Sequence, residues 1–133
     1  MISSVLFKSA EKLIFWILIG LAAFFLLRGH NAPGGGFIAA LIVFCALILR
    51  QLAHDPKIQM NGKISPAVGM SIGLVLALGS ALIGVLENRT FMQGVWIEVL
   101  GIQVGTPLIF DIGIFCTVLG ALRAFFIPLL RED

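Results

Sequence analysis

Charge is scarce in this chain: Asp, Glu, Lys and Arg together supply 12% of its 133 residues, about half of the roughly 25% usual in a soluble domain. With 59% hydrophobic residues and a mean hydropathy of +1.09, that deficit excludes a water-soluble fold. The net charge of +2 comes without any basic cluster, which excludes nucleic acid as a partner. Cysteine is equally sparse. Cys45 and Cys116 both fall inside apolar runs and read as small buried hydrophobes rather than a disulfide framework. No group of Cys, His, Asp and Glu has metal-ligand spacing, and no nucleophile stands beside a base. The expectation is therefore no metal, no cofactor and no catalytic residues.

Long apolar runs are what the chain does have. A hydrocarbon core of about 30 Å takes about 20 helical residues per crossing, so 133 residues hold four spans and short connections. The first run, "LIFWILIGLAAFFLL" (13–27), lacks charge but is short, so its helix is expected from about residue 9 to 28, with Lys12 snorkelling outward. Lys8 and Lys12 precede it as in a signal peptide, yet no small-x-small cleavage region follows, and it reads as a retained helix. The second span is expected over about 33–53, the third over 66–86 and the fourth over 106–128. Ser65-Pro66 and Thr106-Pro107 open the last two, each pairing an N-cap hydroxyl with a proline that has no N–H to leave unpaired. Between them, residues 95–104 alternate loosely about Gly101, the pattern of a small hairpin carrying Trp96 at the membrane surface.

Positive charge near span ends sets orientation. Lys8, Lys12, Arg50, Lys57, Lys63, Arg123 and Arg131 fall on one side, against Arg28 and Arg89 on the other. The expected fold is thus an all-α integral membrane protein with four transmembrane helices, both termini cytoplasmic, the hairpin in the outer loop between helices 3 and 4, and residues 1–133 forming one domain.

In lipid, close backbone approach and interhelical hydrogen bonds hold helices together. The third helix carries Gly69, Gly73, Ala77 and Ala81 at four-residue spacing, with Ser80 and Gly84 beside them; the fourth carries Gly113, Thr117 and Ala121, then Gly120 and Ala124. These stripes suit tight packing within the chain or against a neighbour. Asp111 is the acid inside an expected span. Such a residue marks an ion or proton path by default, but one turn into a helix it also gains from the helix dipole. Arg28 and His30 lie toward the same membrane face and are its expected partners, since a buried carboxylate needs one. Glu11 stands between Lys8 and Lys12 and is expected to be solvated; Glu87 and Glu98 are expected as surface charges.

"RGHNAPGGGF" (28–37) raises the sharpest question. It lacks the lysine and spacing of a phosphate-binding loop. Asn31 is a candidate N-cap, Pro33 falls in the first turn, and Gly34, Gly35 and Gly36, before Phe37, form a patch without side chains at the head of the second helix. Three glycines cost a helix about 1 kcal/mol each against alanine, which points to a contact that no side chain would fit.

"GHNAPGGGFIAAL" (29–41) and "GTPLIFDIGIF" (105–115) resemble the signature segments of the MnhB (MrpB) family, one of the membrane components of Mrp-type multisubunit sodium/proton antiporters. The resemblance covers nearly the whole chain; family members often have Gly-Gly where this one has Ala39-Ala40. It implies an accessory membrane subunit in a prokaryotic plasma membrane, partnered by the other antiporter subunits and the lipid bilayer. Na+ and H+ are the ions the whole complex carries, and this chain, without a series of buried Lys and Glu, is implied to support assembly and to line an ion path. A membrane component of a hydrogenase-type respiratory complex with an antiporter module is the alternative. A small multidrug exporter would need an acid in the first span, which 13–27 lacks.

Overall fold

The computed structural model describes residues 3–28, 34–54, 63–90, 93–99 and 102–129. They form α1 (Ser3–Arg28), α2 (Gly35–Ala53), α3 (Pro66–Leu86), strands β1 (Trp96–Val99) and β2 (Ile102–Gly105), and α4 (Thr106–Leu129). All four helices are long and apolar enough to cross a membrane. Their outer faces carry large exposed side chains such as Leu13, Trp16, Leu74, Val75, Leu82 and Phe125, as expected where the surroundings are lipid or neighbouring protein rather than water.

The packing order differs from chain order: α1 lies on α2, α2 on α4, and α4 on α3. Residue size explains the central place of α2. Gly35, Gly36, Ala39, Ala40 and Ala46 are all buried, and Ala39, Ala40 and Ala46 have no exposed surface. A helix flanked on two sides needs small residues on both, and this stripe continues the glycine segment by three turns. Phe44 closes its far end against Phe126 of α4, with ring centroids 4.9 Å apart.

Helix boundaries follow the caps, with two departures from expectation. α1 begins at Ser3 rather than near residue 9, because "SSVLFKSAEKL" contains no Gly or Pro to stop a helix. α2 begins at Gly35, later than Pro33, because Gly34 takes φ 97° and is its N-cap; a left-handed residue cannot belong to a right-handed helix. Asn31 and Pro33 lie outside the described residues. At α3, Ser65 accepts the Val68 N–H at 3.3 Å, with Pro66 at the first helical position. The other end of α3 closes with Asn88 in the left-handed region (φ 57°), Asn88 N–H bonded to Val85 carbonyl and Arg89 N–H to Gly84 carbonyl, the Schellman pattern. Ser65→Ala should therefore cost about 1 kcal/mol in the thermal unfolding of the helical signal in detergent, and Ser65→Asp should restore it.

β1 and β2 pair antiparallel, Trp96 opposite Gly105 and Val99 opposite Ile102. The expected role of Thr106 as an N-cap is corrected here. Its hydroxyl accepts the Val95 N–H at 3.0 Å, and its own N–H reaches the Val95 carbonyl at 3.0 Å, so Thr106 pins the start of the hairpin to the start of α4.

Candidate functional site

The glycine segment and the start of α4 meet at one end of the bundle. Gly36 lies in the first turn of α2 directly against the backbone of Asp111: a Cβ on Gly36 would collide with the Asp111 carbonyl. Gly34 meets nothing within 4 Å, so its requirement for glycine is the positive φ alone. Gly35 is buried, and Phe37, 49% exposed, faces away. Gly34 and Gly36 thus have different duties, one conformational and one steric, with Gly35 buried between them.

Asp111 is 6% exposed and is not left without a partner. Of its two expected partners, His30 lies outside the described residues, and the Arg28 guanidinium is placed over the Phe24 ring, 5.9 Å from its centroid. Among the described residues, a backbone contact between Gly36 and Asp111 links α4 to the glycine segment. Beside it the hairpin covers the start of α4: the Trp96 indole lies over Gly105, where a Cβ would come within 2.7 Å of it, and Pro107 fills the next gap.

The α3–α4 seam is built from glycines. A Cβ on Gly73 would come within 2.6 Å of the Gly113 carbonyl, one on Gly113 within 2.6 Å of the Ala77 nitrogen, and one on Gly120 within 2.9 Å of the Pro66 carbonyl. Thr117 and Ser80 direct their hydroxyls to their own helices, at 2.9 Å to the Gly113 carbonyl and 2.8 Å to the Ala77 carbonyl, leaving no polar group bare in the seam. Ala77, Ala81 and Gly84 are buried there. Gly69 is half-buried with open space around it, while Ala121 and Ala124 are exposed. The strict four-residue pattern drifts off the contact because a helix repeats every 3.6 residues, and the seam follows Gly73–Ala77–Ser80–Gly84 and Gly113–Thr117–Gly120 instead.

Three further residues differ from expectation. Glu11 is buried, at 4% exposure, with Oε2 3.9 Å from Nδ1 of His54. Flanking lysines made it look solvated, but Glu11 is turned toward the end of α2 while Lys8, one turn before it, and Lys12, the next residue, remain exposed. Cys45 is exposed and Cys116 half-buried; both thiols are free. Cys45 borders an apolar groove of about 410 Å³ between α2 and α4, lined by Phe44, Ile48, Leu49, Leu52 and Phe126. Among the described residues, no three His, Cys, Asp or Glu side chains come together as a metal set.

Comparison with known proteins adds the context. Residues 6–124 match a family described as a domain related to the MnhB subunit of Na+/H+ antiporter. The chain is 28% identical over 124 residues to the B-type subunit of a Na+/H+ antiporter from Bacillus subtilis, covering 89% of this chain and 87% of the relative. It is 34% identical over 119 residues to the combined A/B-type subunit of a probable K+/H+ antiporter from Rhizobium meliloti, covering 85% of this chain but only 12% of that longer protein. A solved structure of the Mrp complex from Dietzia sp. DQ12-45-1b superposes with a TM-score of 0.84 at 26% identity, over 98% of this chain and 14% of the matched chain.

Proposed function

Because the chain belongs to the family of MnhB-related antiporter domains, we propose that it is an accessory membrane subunit of a multisubunit Na+/H+ antiporter in a prokaryotic plasma membrane. The match across residues 6–124 carries this reading, and the superposition on part of an Mrp complex supports it. Other subunits of that complex are its partners. The A-type component is the first of them, since the Rhizobium meliloti relative joins the A and B types in one polypeptide.

The role is to hold neighbouring subunits together and to line an ion path; no reaction chemistry falls to it. Among the described residues the buried acids are Glu11 and Asp111, and the described lysines are all exposed, so the described residues hold no series of buried Lys and Glu. Seven positive charges on one side and two on the other favour cytoplasmic termini, placing the Gly36–Asp111 junction and the hairpin at the outer face. Residues 1–133 then act as a single four-helix unit.

Deletion of the chain in a strain lacking its main sodium exporters tests this. Everted vesicles should lose Na+-dependent proton movement, and the gene in trans should restore it. Loss of exchange with the remaining subunits still assembled assigns the chain to the ion path, and loss of assembly assigns it to the scaffold. Exchange that continues at the full rate without the chain defeats the reading. Assaying K+ beside Na+ decides the cation, since relatives carry both descriptions.

A further inference from the structure

Glu11 falls within the candidate span Leu6–Arg28, yet its carboxylate is buried against the end of α2. An ionisable group there is costly and is retained where it does something. Its neighbour is suited to proton exchange. His54 closes α2, its backbone N–H bonded to the Arg50 carbonyl at 3.2 Å, and its ring Nδ1 lies 3.1 Å from that same carbonyl. A carbonyl only accepts, so Nδ1 carries the hydrogen, and Nε2 of the neutral ring is the lone pair that takes up a proton. The His54 side chain is 35% exposed while that of Glu11 is 4% exposed. One member of the pair therefore reaches the aqueous boundary and the other is enclosed.

We propose that Glu11 and His54 form a proton-loading site where α1 meets the end of α2. The inference rests on the antiporter reading above. A proton arriving from hydronium adds to Nε2 of neutral His54 and leaves water. The resulting imidazolium faces the Glu11 carboxylate across 3.9 Å. Rotation of the ring away from the Arg50 carbonyl brings Nδ1–H within hydrogen-bond reach of Oε2. Transfer of that proton then gives neutral imidazole, protonated on Nε2, beside a neutral carboxyl, so the pair holds one proton in either arrangement. Among the described residues, the other charges around it are cationic; Asp55, next in sequence to His54, lies outside the described residues. Lys8 and Lys12 are exposed on α1, and Arg50 on α2 lies over the Phe15 ring at 4.8 Å from its centroid. α4, which touches α1 lightly, carries two charged side chains, the half-buried Arg123 and, near its start, the buried Asp111. The guanidinium of Arg50 is thus held on an aromatic face, and the His54 imidazole lies 3.9 Å from the Glu11 carboxylate.

The test uses the whole complex in everted vesicles, with Glu11→Gln and His54→Gln assayed for assembly by co-purification and for exchange from about pH 5 to 8, the range in which imidazole changes charge. Glu11→Gln should assemble and lose most of its exchange. His54→Gln should assemble and lose the dependence of rate on pH across that range, with Glu11→Asp intermediate. Assembled variants with the wild-type rate and profile overturn the site while leaving the antiporter reading intact. Loss of assembly in both Gln variants that is not relieved by Glu11→Asp also overturns it, making the pair a structural tie. A complex whose exchange does not need this chain defeats the antiporter reading itself, whatever the variants do.

Discussion

Gly36→Ala is expected to separate α2 from α4 and to release the chain from its complex. The added methyl would meet the Asp111 carbonyl, which is backbone and cannot swing aside. Overpacking costs about 1–3 kcal/mol when side chains can give way, and here two helices must move apart, so the upper part of that range applies. Retention of partner subunits on the tagged chain, measured after mild detergent extraction, should fall in step with the thermal stability of the chain.

The neighbouring glycine supplies the control. Gly34→Ala puts its methyl into open space but demands φ 97° of an alanine, costing about 1–2 kcal/mol without touching α4. Gly34→Asn should recover much of that, because Asn visits the left-handed region more readily. If Gly36→Ala and Gly34→Ala behave alike, the collision with Asp111 is not what the segment is for. If Gly34→Asn fails as badly as Gly36→Ala, backbone conformation is not the requirement at Gly34.

Much of the architecture is legible from hydropathy and caps, because both report local physics. The apolar runs identify four helices, and the starts of α3 and α4 fall where Ser65-Pro66 and Thr106-Pro107 predict. What is not legible depends on which helices become neighbours. Ala39, Ala40 and Ala46 line the most buried face of the molecule, yet small residues in α2 carry no special signal until α1 and α4 are known to flank it. Thr106 offers a cap in sequence, and the hairpin claims its hydroxyl for Val95. Glu11 is the sharpest case: its sequence neighbours are lysines, but its spatial neighbour is His54, 43 residues on, and only the antiparallel fold of α1 on α2 brings them together. Of the candidate site, the pairing of the glycine segment with Asp111 could be reasoned from a shared membrane face. That the contact would be backbone against backbone at Gly36 could not.

The α3–α4 seam carries the second large expected effect. Gly73→Ala and Gly113→Ala each drive a methyl into the backbone of the other helix, at 2.6 Å from the Gly113 carbonyl and 2.6 Å from the Ala77 nitrogen respectively. Each should destabilise the chain by about 2–3 kcal/mol, read as thermal unfolding in detergent. The two positions share one contact, so once the first methyl has spread the helices the second meets less resistance. The double variant should then cost less than the sum, by about 1 kcal/mol, within the range found for touching residues. Gly69→Ala separates this from a general need for flexible glycine. Its Cβ meets nothing within 4 Å, and replacing a helical glycine gains about 1 kcal/mol of propensity, so it should be neutral or stabilising in the isolated chain. Gly79 has the same open surroundings but lies on the face of α3 turned away from α4, where Val75, Leu78 and Leu82 are exposed. Gly79→Ala should therefore also be harmless to the chain alone, and a loss that shows only in the assembled complex would mark that face of α3 as one that another component of the complex covers.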